Sequence, residues 1–274
     1  KRYAMKQPEE LSTNCKNNYT AVILAAGVGS RMNTVVPKPL QPICGAPILQ
    51  HILHTVERSG IKKVCIVYKK DYYEQFLKIT SSINLEVSWA LQEESLGTAH
   101  ALQQALPKIT TQRTLILLGD APFTPQEIIE KSTQSNHLLT VITAKPKDPT
   151  GLGRIIRGAQ GQIEKIIEEK DLNDNQKRIL EINTGIMVTE TRVLRDYIPK
   201  INRENEANEY HMTALIQLLV DKSPECIGSI EVQQAWEVSG VNTLHQLISL
   251  EKMYMHACAQ KRVCTLLCTH VSSQ

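Results

Sequence analysis

Residues 21–32 read Ala21-Val22-Ile23-Leu24-Ala25-Ala26-Gly27-Val28-Gly29-Ser30-Arg31-Met32, and Pro37-Lys38 follows after a short gap. A run of β-branched and apolar residues breaks off into small residues and glycines, as a buried strand does where it leaves a sheet. The glycines let backbone N–H groups approach a phosphate, and Arg31 and Lys38 supply positive charge for it. The stretch therefore reads as a nucleotide-handling loop or as an ordinary strand-to-helix turn. Spacing rules out two familiar phosphate loops. A dinucleotide fingerprint needs a third small residue where Met32 stands, and a Walker loop needs Gly-Lys-Ser/Thr where the chain has Gly29-Ser30-Arg31.

Outward from this strand, apolar runs at 64–68, 87–91, 115–118 and 139–144 alternate with helical patterns at 48–58, 99–106 and 125–133. Such alternation predicts an α/β fold, a doubly wound, mostly parallel Rossmann-like sheet with helices on both faces. In the helix at 48–58, Ile48, Leu49, Ile52, Leu53 and Val56 recur at helical spacing and form a core face, leaving His51 and His54 structural or solvated. After Lys145 the pattern changes: a Gly151–Ile156 stretch, a hairpin through Gly158–Gly161, a charged segment at 168–177, a strand at 184–188, and helices at 192–197 and 212–220. This predicts a smaller α+β region that completes the sheet and covers one side of the ligand. A last helix spans 243–261, with Leu244, Leu247, Ile248 and Met255 on its apolar side. Residues 1–19 are polar and form an extension, and no internal repeat is present.

Composition narrows the partners. A net charge of +3 without a dense basic block, and only 4% aromatic residues, argue against nucleic acid and for a small anionic ligand. No apolar run nears the roughly 20 residues that span a bilayer, and no signal-peptide core is visible, so a cytoplasmic protein without membrane contact is expected. The seven cysteines are an odd number in a chain too large to need staples, and read as reduced thiols. His256, Cys258, Cys264, Cys268 and His270 cluster near the end but lack a C-x-x-C pair, which argues for ordinary thiols over zinc.

Gly119-Asp120 closes a central strand at the carboxyl end, where doubly wound sheets bind ligands. Asp120 is a magnesium-ligand candidate or a helix cap. Gln92 ends another strand ahead of Leu96-Gly97-Thr98, either as a base-reading amide or as a surface amide before a helix capped by Thr98. Asn183 and Asn242 sit in similar frames, Glu181-Ile182-Asn183-Thr184-Gly185 and Gly240-Val241-Asn242, as cleft amides or turn residues.

Taken in order, these motifs, with Gly151-Leu152-Gly153-Arg154-Ile155, resemble the sugar-nucleotide pyrophosphorylases. Within them the likeness is to the uridyltransferase domain of bacterial N-acetylglucosamine-1-phosphate uridyltransferase, over about residues 20–259. The resemblance implies a nucleotide-diphospho-sugar transferase fold, with residues 20–144 binding nucleotide, 145–242 binding sugar, a C-terminal helix at 243–259 and a tail at 260–274. It implies that Leu24, Ala25, Ala26, Gly27 and Gly29 hold the nucleotide. Gln92, Gly97 and Thr98 would recognise uracil, with Leu118, Gly119 and Asp120 at the nucleotide. Arg31 and Lys38 would be catalytic, Asp120 and Asn242 would hold Mg2+, and Gly153, Glu168 and Asn183 would contact the sugar. The implied substrates are UTP and N-acetylglucosamine 1-phosphate. The chain departs from the family at Leu118, where tyrosine is usual, and at His211 and Ala214, positions that bear on the sugar. It stops where the family's β-helix acetyltransferase would begin, so neither acetyl transfer nor a β-helix-mediated trimer is expected.

Overall fold

The computed structural model describes residues 15–27, 32, 34 and 36–271, with backbone only at 15, 16, 224 and 261–271. The first half runs β1 (Tyr19–Leu24), a small hairpin β2–β3 (Pro42–Ile43, Ala46–Pro47), α1 (Ile48–Arg58), β4 (Lys63–Tyr68), α2 (Tyr73–Thr80) and β5 (Glu86–Leu91). It continues through α3 (Thr98–Ala105), β6 (Arg113–Leu118), α4 (Gln126–Thr133) and β7 (Leu139–Ala144). The second half comprises β8 (Arg154–Arg157), β9 (Ile163–Ile167), α5 (Asp174–Lys177), β10 (Ile182–Glu190), α6 (Thr191–Tyr197), α7 (Ala214–Val220), β11 (Ile227–Val232) and α8 (Leu244–Val271).

The main sheet has the order β11-β7-β10-β6-β1-β4-β5, and the β8–β9 hairpin branches from it through β10. β6, β1, β4 and β5 are mutually parallel, and β11 is parallel to β7. The expectation of a mostly parallel α/β sheet holds, with one strand reversed: β10 pairs antiparallel with both β6 and β7. The cause is the route of the chain. β7 ends at the carboxyl rim, the β8–β9 hairpin stays there, and β10 starts opposite Ala144 and runs back down. No crossover helix returns the chain to the lower edge first, so the strand can only descend.

β1 reads as continuously apolar because helices cover both of its faces. Ala21 and Ile23 pack with Ile48 and Leu53 of α1, Ile129 of α4 and Leu250 of α8. Val22 points the other way, into a second cluster with Leu102 of α3, Leu194 of α6 and Leu215 of α7. The isoleucine, leucine and valine side chains among these are fully or almost fully buried, which contributes about 1.5–3 kcal/mol apiece. The β2–β3 hairpin, α2, the four-residue α5 and the edge strand β11 have no counterpart in the sequence reading, and α8 runs ten residues past the predicted end. Among the described residues no helix is long and apolar enough to cross a membrane.

Parallel register brings the ends of β1, β4, β5 and β6 to one rim, with Leu24 level with Leu118 and Val67, and Tyr68 level with Leu91. Ala25, Gln92 and Gly119 therefore follow at the same edge, and the first residues of the reversed β10 arrive there too.

Candidate active site

Three residues remote in sequence meet at this rim. Lys38 opens a 3-10 turn after Pro37, and its Nζ donates to Asp120 Oδ2 at 3.1 Å and to Asn242 Oδ1 at 2.6 Å. The Lys38 and Asp120 side chains are 12% and 21% exposed, sheltered yet reachable. Asp120 follows Gly119, whose N–H donates to Leu24 O at 3.0 Å. A Cβ on Gly119 would lie 2.8 Å from both Ala25 Cα and Leu24 O, so only glycine allows the β1 and β6 loops this contact. Val241 N–H donates to Asp120 O at 2.9 Å, and a Cβ on Gly240 would stand 2.9 Å from Asp120 Oδ1. Asn242 is held from behind by the start of α8, where Gln246 Oε1 accepts from its N–H and Thr243 Oγ1 accepts from Gln246 N–H.

Asp120 is thus no helix cap, since α4 begins after Pro125. Its carboxylate and the Asn242 amide oxygen converge on a single cation, the Lys38 ammonium. Two hard oxygen donors already aimed at one positive centre are a donor set that fits Mg2+.

At the end of β5, Gln92 is 4% exposed and so not a surface amide. Its Nε2 lies 3.3 Å from Gly97 O and 3.1 Å from His100 Nδ1. Gly97 has φ +110°, and a Cβ there would meet Tyr210 O at 2.5 Å. The Tyr210 backbone closes the loop, donating to Leu96 O and accepting from Ala99 N–H, both at 2.8 Å. Thr98 does not cap α3. Gly97 takes that position, and Thr98 Oγ1 instead accepts from Met212 N–H at 2.9 Å. The tight approach of the 210–212 segment leaves the hydroxyl a nearer partner than its own helix.

On the opposite side Gly153, Glu168 and Asn183 come together. Asn183 N–H donates to Gly153 O at 2.9 Å, and a Cβ on Gly153 would lie 3.3 Å from Glu168 Oε2. Thr213 Oγ1 donates to Glu168 Oε1 at 2.9 Å, fixing the carboxylate. Asn183 also does turn work, its Oδ1 accepting from Gly185 N–H at 3.1 Å. Leu118 leans on Gly185, where a Cβ would meet Leu118 Cδ1 at 2.6 Å. Behind this wall Arg154 is 1% exposed; its Nε donates to Ile179 O at 2.9 Å, it bonds Leu152 O, and it forms an ion pair with Glu169 at 2.9 Å.

Comparison with known proteins follows the same extent. A family model described as nucleotidyl transferase matches residues 20–247. The chain belongs to the nucleotidyl transferase family. The transferase is 37% identical to a protein named bifunctional protein GlmU from Paraburkholderia phymatum, over 85% of this chain and 51% of that one. It is 35% identical to the Azoarcus sp. protein of that name, over 88% of this chain and 53% of the other. The chain thus spans about half the length of the curated relatives it matches. A solved structure from Bacillus anthracis, assigned as a glucose-1-phosphate thymidylyltransferase in complex with a sucrose, superposes with a TM-score of 0.71 at 20% identity. It covers 86% of this chain and 94% of that one, and it speaks for the fold alone.

Of the residues expected at the transferase's site, Gly29 and Arg31 lie outside the described residues, as do residues 1–14 of the extension. In the tail, the side chains of Cys264, Cys268 and His270 are likewise outside them. Cys44, Cys65, Cys226 and Cys258 are free thiols, and the described residues hold no cluster of three or more His, Cys, Asp or Glu suited to a metal. Sequence reasoning assigned no role to His100, Tyr210, Arg154 or Thr213. Each stands inside or beside a quoted motif, but the partner it contacts is not one that motif spacing reveals.

Proposed function

We propose that the protein is a uridylyltransferase that joins UTP to N-acetylglucosamine 1-phosphate, giving UDP-N-acetylglucosamine and pyrophosphate. The observation that carries this reading is the convergence of Lys38, Asp120 and Asn242 on one point beside the Leu24–Gly27 loop. That is an arrangement for gathering triphosphate charge rather than for packing. The identity to proteins named GlmU supports the choice of nucleotide and sugar.

In the reaction, a phosphate oxygen of the sugar 1-phosphate attacks the α-phosphorus of UTP in line. The new P–O bond forms as the bond from the α-phosphorus to the bridging oxygen breaks, and that electron pair leaves with pyrophosphate. No covalent nucleophile on the protein is needed; the rate comes from positioning and charge stabilisation. Mg2+, held by Asp120 and Asn242, would neutralise phosphate charge and polarise the reacting centre. The Lys38 ammonium, beside these two oxygens, would offset the charge on the departing pyrophosphate. The Ala25–Gly27 backbone and Gly119 line the nucleotide, and Gln92 reads the base. Asn183 and the anchored Glu168 hold the sugar, with the bare Cα of Gly153 giving it room.

The test is pyrophosphate release by purified protein with Mg2+, UTP and N-acetylglucosamine 1-phosphate, run beside glucose 1-phosphate and dTTP. Turnover is expected with the first pair above the others. A protein that binds UTP and yields no pyrophosphate with any sugar phosphate would be a nucleotide-sugar binder and would end the proposal.

A further inference from the structure

We infer that His100 is a positioning residue for base selection: its Nδ1 holds the Gln92 amide so that the carbonyl oxygen, and not the NH2, meets the nucleobase. The inference rests on the proposed reading of the cleft as a UTP site.

The argument is one of proton counting. Gly97 O can only accept, so the Gln92 terminal atom 3.3 Å from it is the nitrogen. The second N–H of that nitrogen faces His100 Nδ1 at 3.1 Å, which must therefore present its lone pair. A neutral imidazole carries a single N–H, and so the proton sits on Nε2. The Gln104 amide end lies 3.3 Å from Nε2. An amide can be turned end for end, and only its oxygen satisfies that N–H. Gln104 therefore turns its oxygen inward and gives up a 3.3 Å bond to His100 O. Gln104 is only half-buried, whereas Gln92 is 4% exposed, so the buried amide dictates the arrangement. The ring itself is restrained, stacked on Tyr210 at a 30° tilt with centroids 6.4 Å apart, and the Tyr210 backbone is pinned by Leu96 and Ala99.

The consequence falls on the free end of Gln92. Both N–H groups are taken, no donor among the described residues reaches Oε1, and Oε1 is not among the buried unpartnered atoms. It is not sealed off, and with both N–H groups engaged it can serve as an acceptor and nothing else. Set against position 3 of a pyrimidine, such an acceptor suits uracil, whose N3 carries a proton, and rejects cytosine, whose N3 presents a lone pair. A free amide could offer a base both a donor and an acceptor; the Gly97 and His100 contacts remove the donor. Without Nδ1 only Gly97 O would restrain the amide, and a half-turn would offer NH2 to cytosine.

The experiment is calorimetric titration of UTP and of CTP, with KM measured for each, on wild type, His100→Phe, His100→Asn and Gln104→Lys. Wild type should prefer UTP. In His100→Phe, which keeps the ring against Tyr210, UTP should weaken, CTP should strengthen, and the preference should fall by about tenfold or more, since a fixed polar contact is worth at least that in discrimination. His100→Asn, whose Oδ1 can stand in for Nδ1, should restore most of it. Gln104→Lys places a donor against Nε2, pushing the ring proton to Nδ1, and should shift the ratio in the same direction from a half-exposed position that does not threaten folding. General damage to the site would weaken both nucleotides together. A wild type without preference for UTP sinks the reading of the cleft and this inference with it. A wild-type preference that survives unchanged in His100→Phe, or in Gln104→Lys if His100→Phe does not fold, overturns the role of His100 alone.

Discussion

Lys38 occupies a place where a single side chain touches two others, 82 and 204 residues further along the chain. Removing its ammonium should lower turnover far more than stability, because Asp120 is sheltered but not sealed and water can take the vacated place. Lys38→Ala is expected to reduce kcat by roughly 10²–10³-fold, the scale of losing one preorganised charge at a transition state, with a melting midpoint close to wild type. Pyrophosphate release and a thermal melt on the same sample check both halves. Gly119 works differently, by being absent as a side chain. Gly119→Ala would drive a methyl to 2.8 Å from backbone atoms of Leu24 and Ala25, which cannot move aside as a side-chain tip can. A destabilisation of about 1–3 kcal/mol is expected from such overpacking, with turnover lost as the two loops part; urea unfolding beside the activity assay measures it. The importance of Lys38 and Gly119 could be read from their motifs. The contacts could not, since motif spacing says nothing of which rim atoms face one another.

At the level of elements, the β8–β9 hairpin and β10 are joined by charge as well as by pairing. Arg157 of β8 donates to both carboxylate oxygens of Glu181 at 2.8 and 2.6 Å and reaches Ser229 of β11 at 3.0 Å. Burial pushes the Glu181 carboxyl upward, but the Arg157 hydrogen bonds and charge outweigh it and hold the group below the usual glutamate range. A carboxyl depressed in the folded state stabilises it above the unfolded value of about 4.3, and that contribution drains away as pH falls through the folded value. The melting midpoint should therefore drop on acidification below that point, and Glu181→Gln should lower it at neutral pH while flattening the acid limb. Parallel pH curves for the two proteins would refute the assignment. Elements with strong apolar periodicity were legible: β7 and α1 lie where the sequence places them, and the β8–β9 hairpin turns where Gly158–Gly161 predicts it. β11 was not, because an edge strand with Glu231 and Ser229 facing outward carries too few buried residues to mark itself.

For the molecule as a whole, ligand binding across several rim loops should appear as stability. UTP with Mg2+ at a hundredfold its dissociation constant adds about 2.7 kcal/mol, which for a chain of this size is a rise of roughly 5–10 °C in melting midpoint. In Asp120→Asn the magnesium-dependent part of that rise should vanish while any metal-independent part remains; scanning fluorimetry with and without chelator separates them. The alternation of apolar runs and amphipathic helices was enough to determine an α/β sheet, since a strand apolar on both faces can only be buried between layers, and the glycine-rich turn after Leu24 pointed to the carboxyl rim where the motif residues gather. The tertiary structure alone decided that β10 runs against its neighbours, that Lys38, Asp120 and Asn242 share one point, and that Gln92 is held by His100. Strand direction depends on which edge the chain returns from, and long-range contacts depend on the path that closes them. Neither quantity is a property of any local stretch of residues.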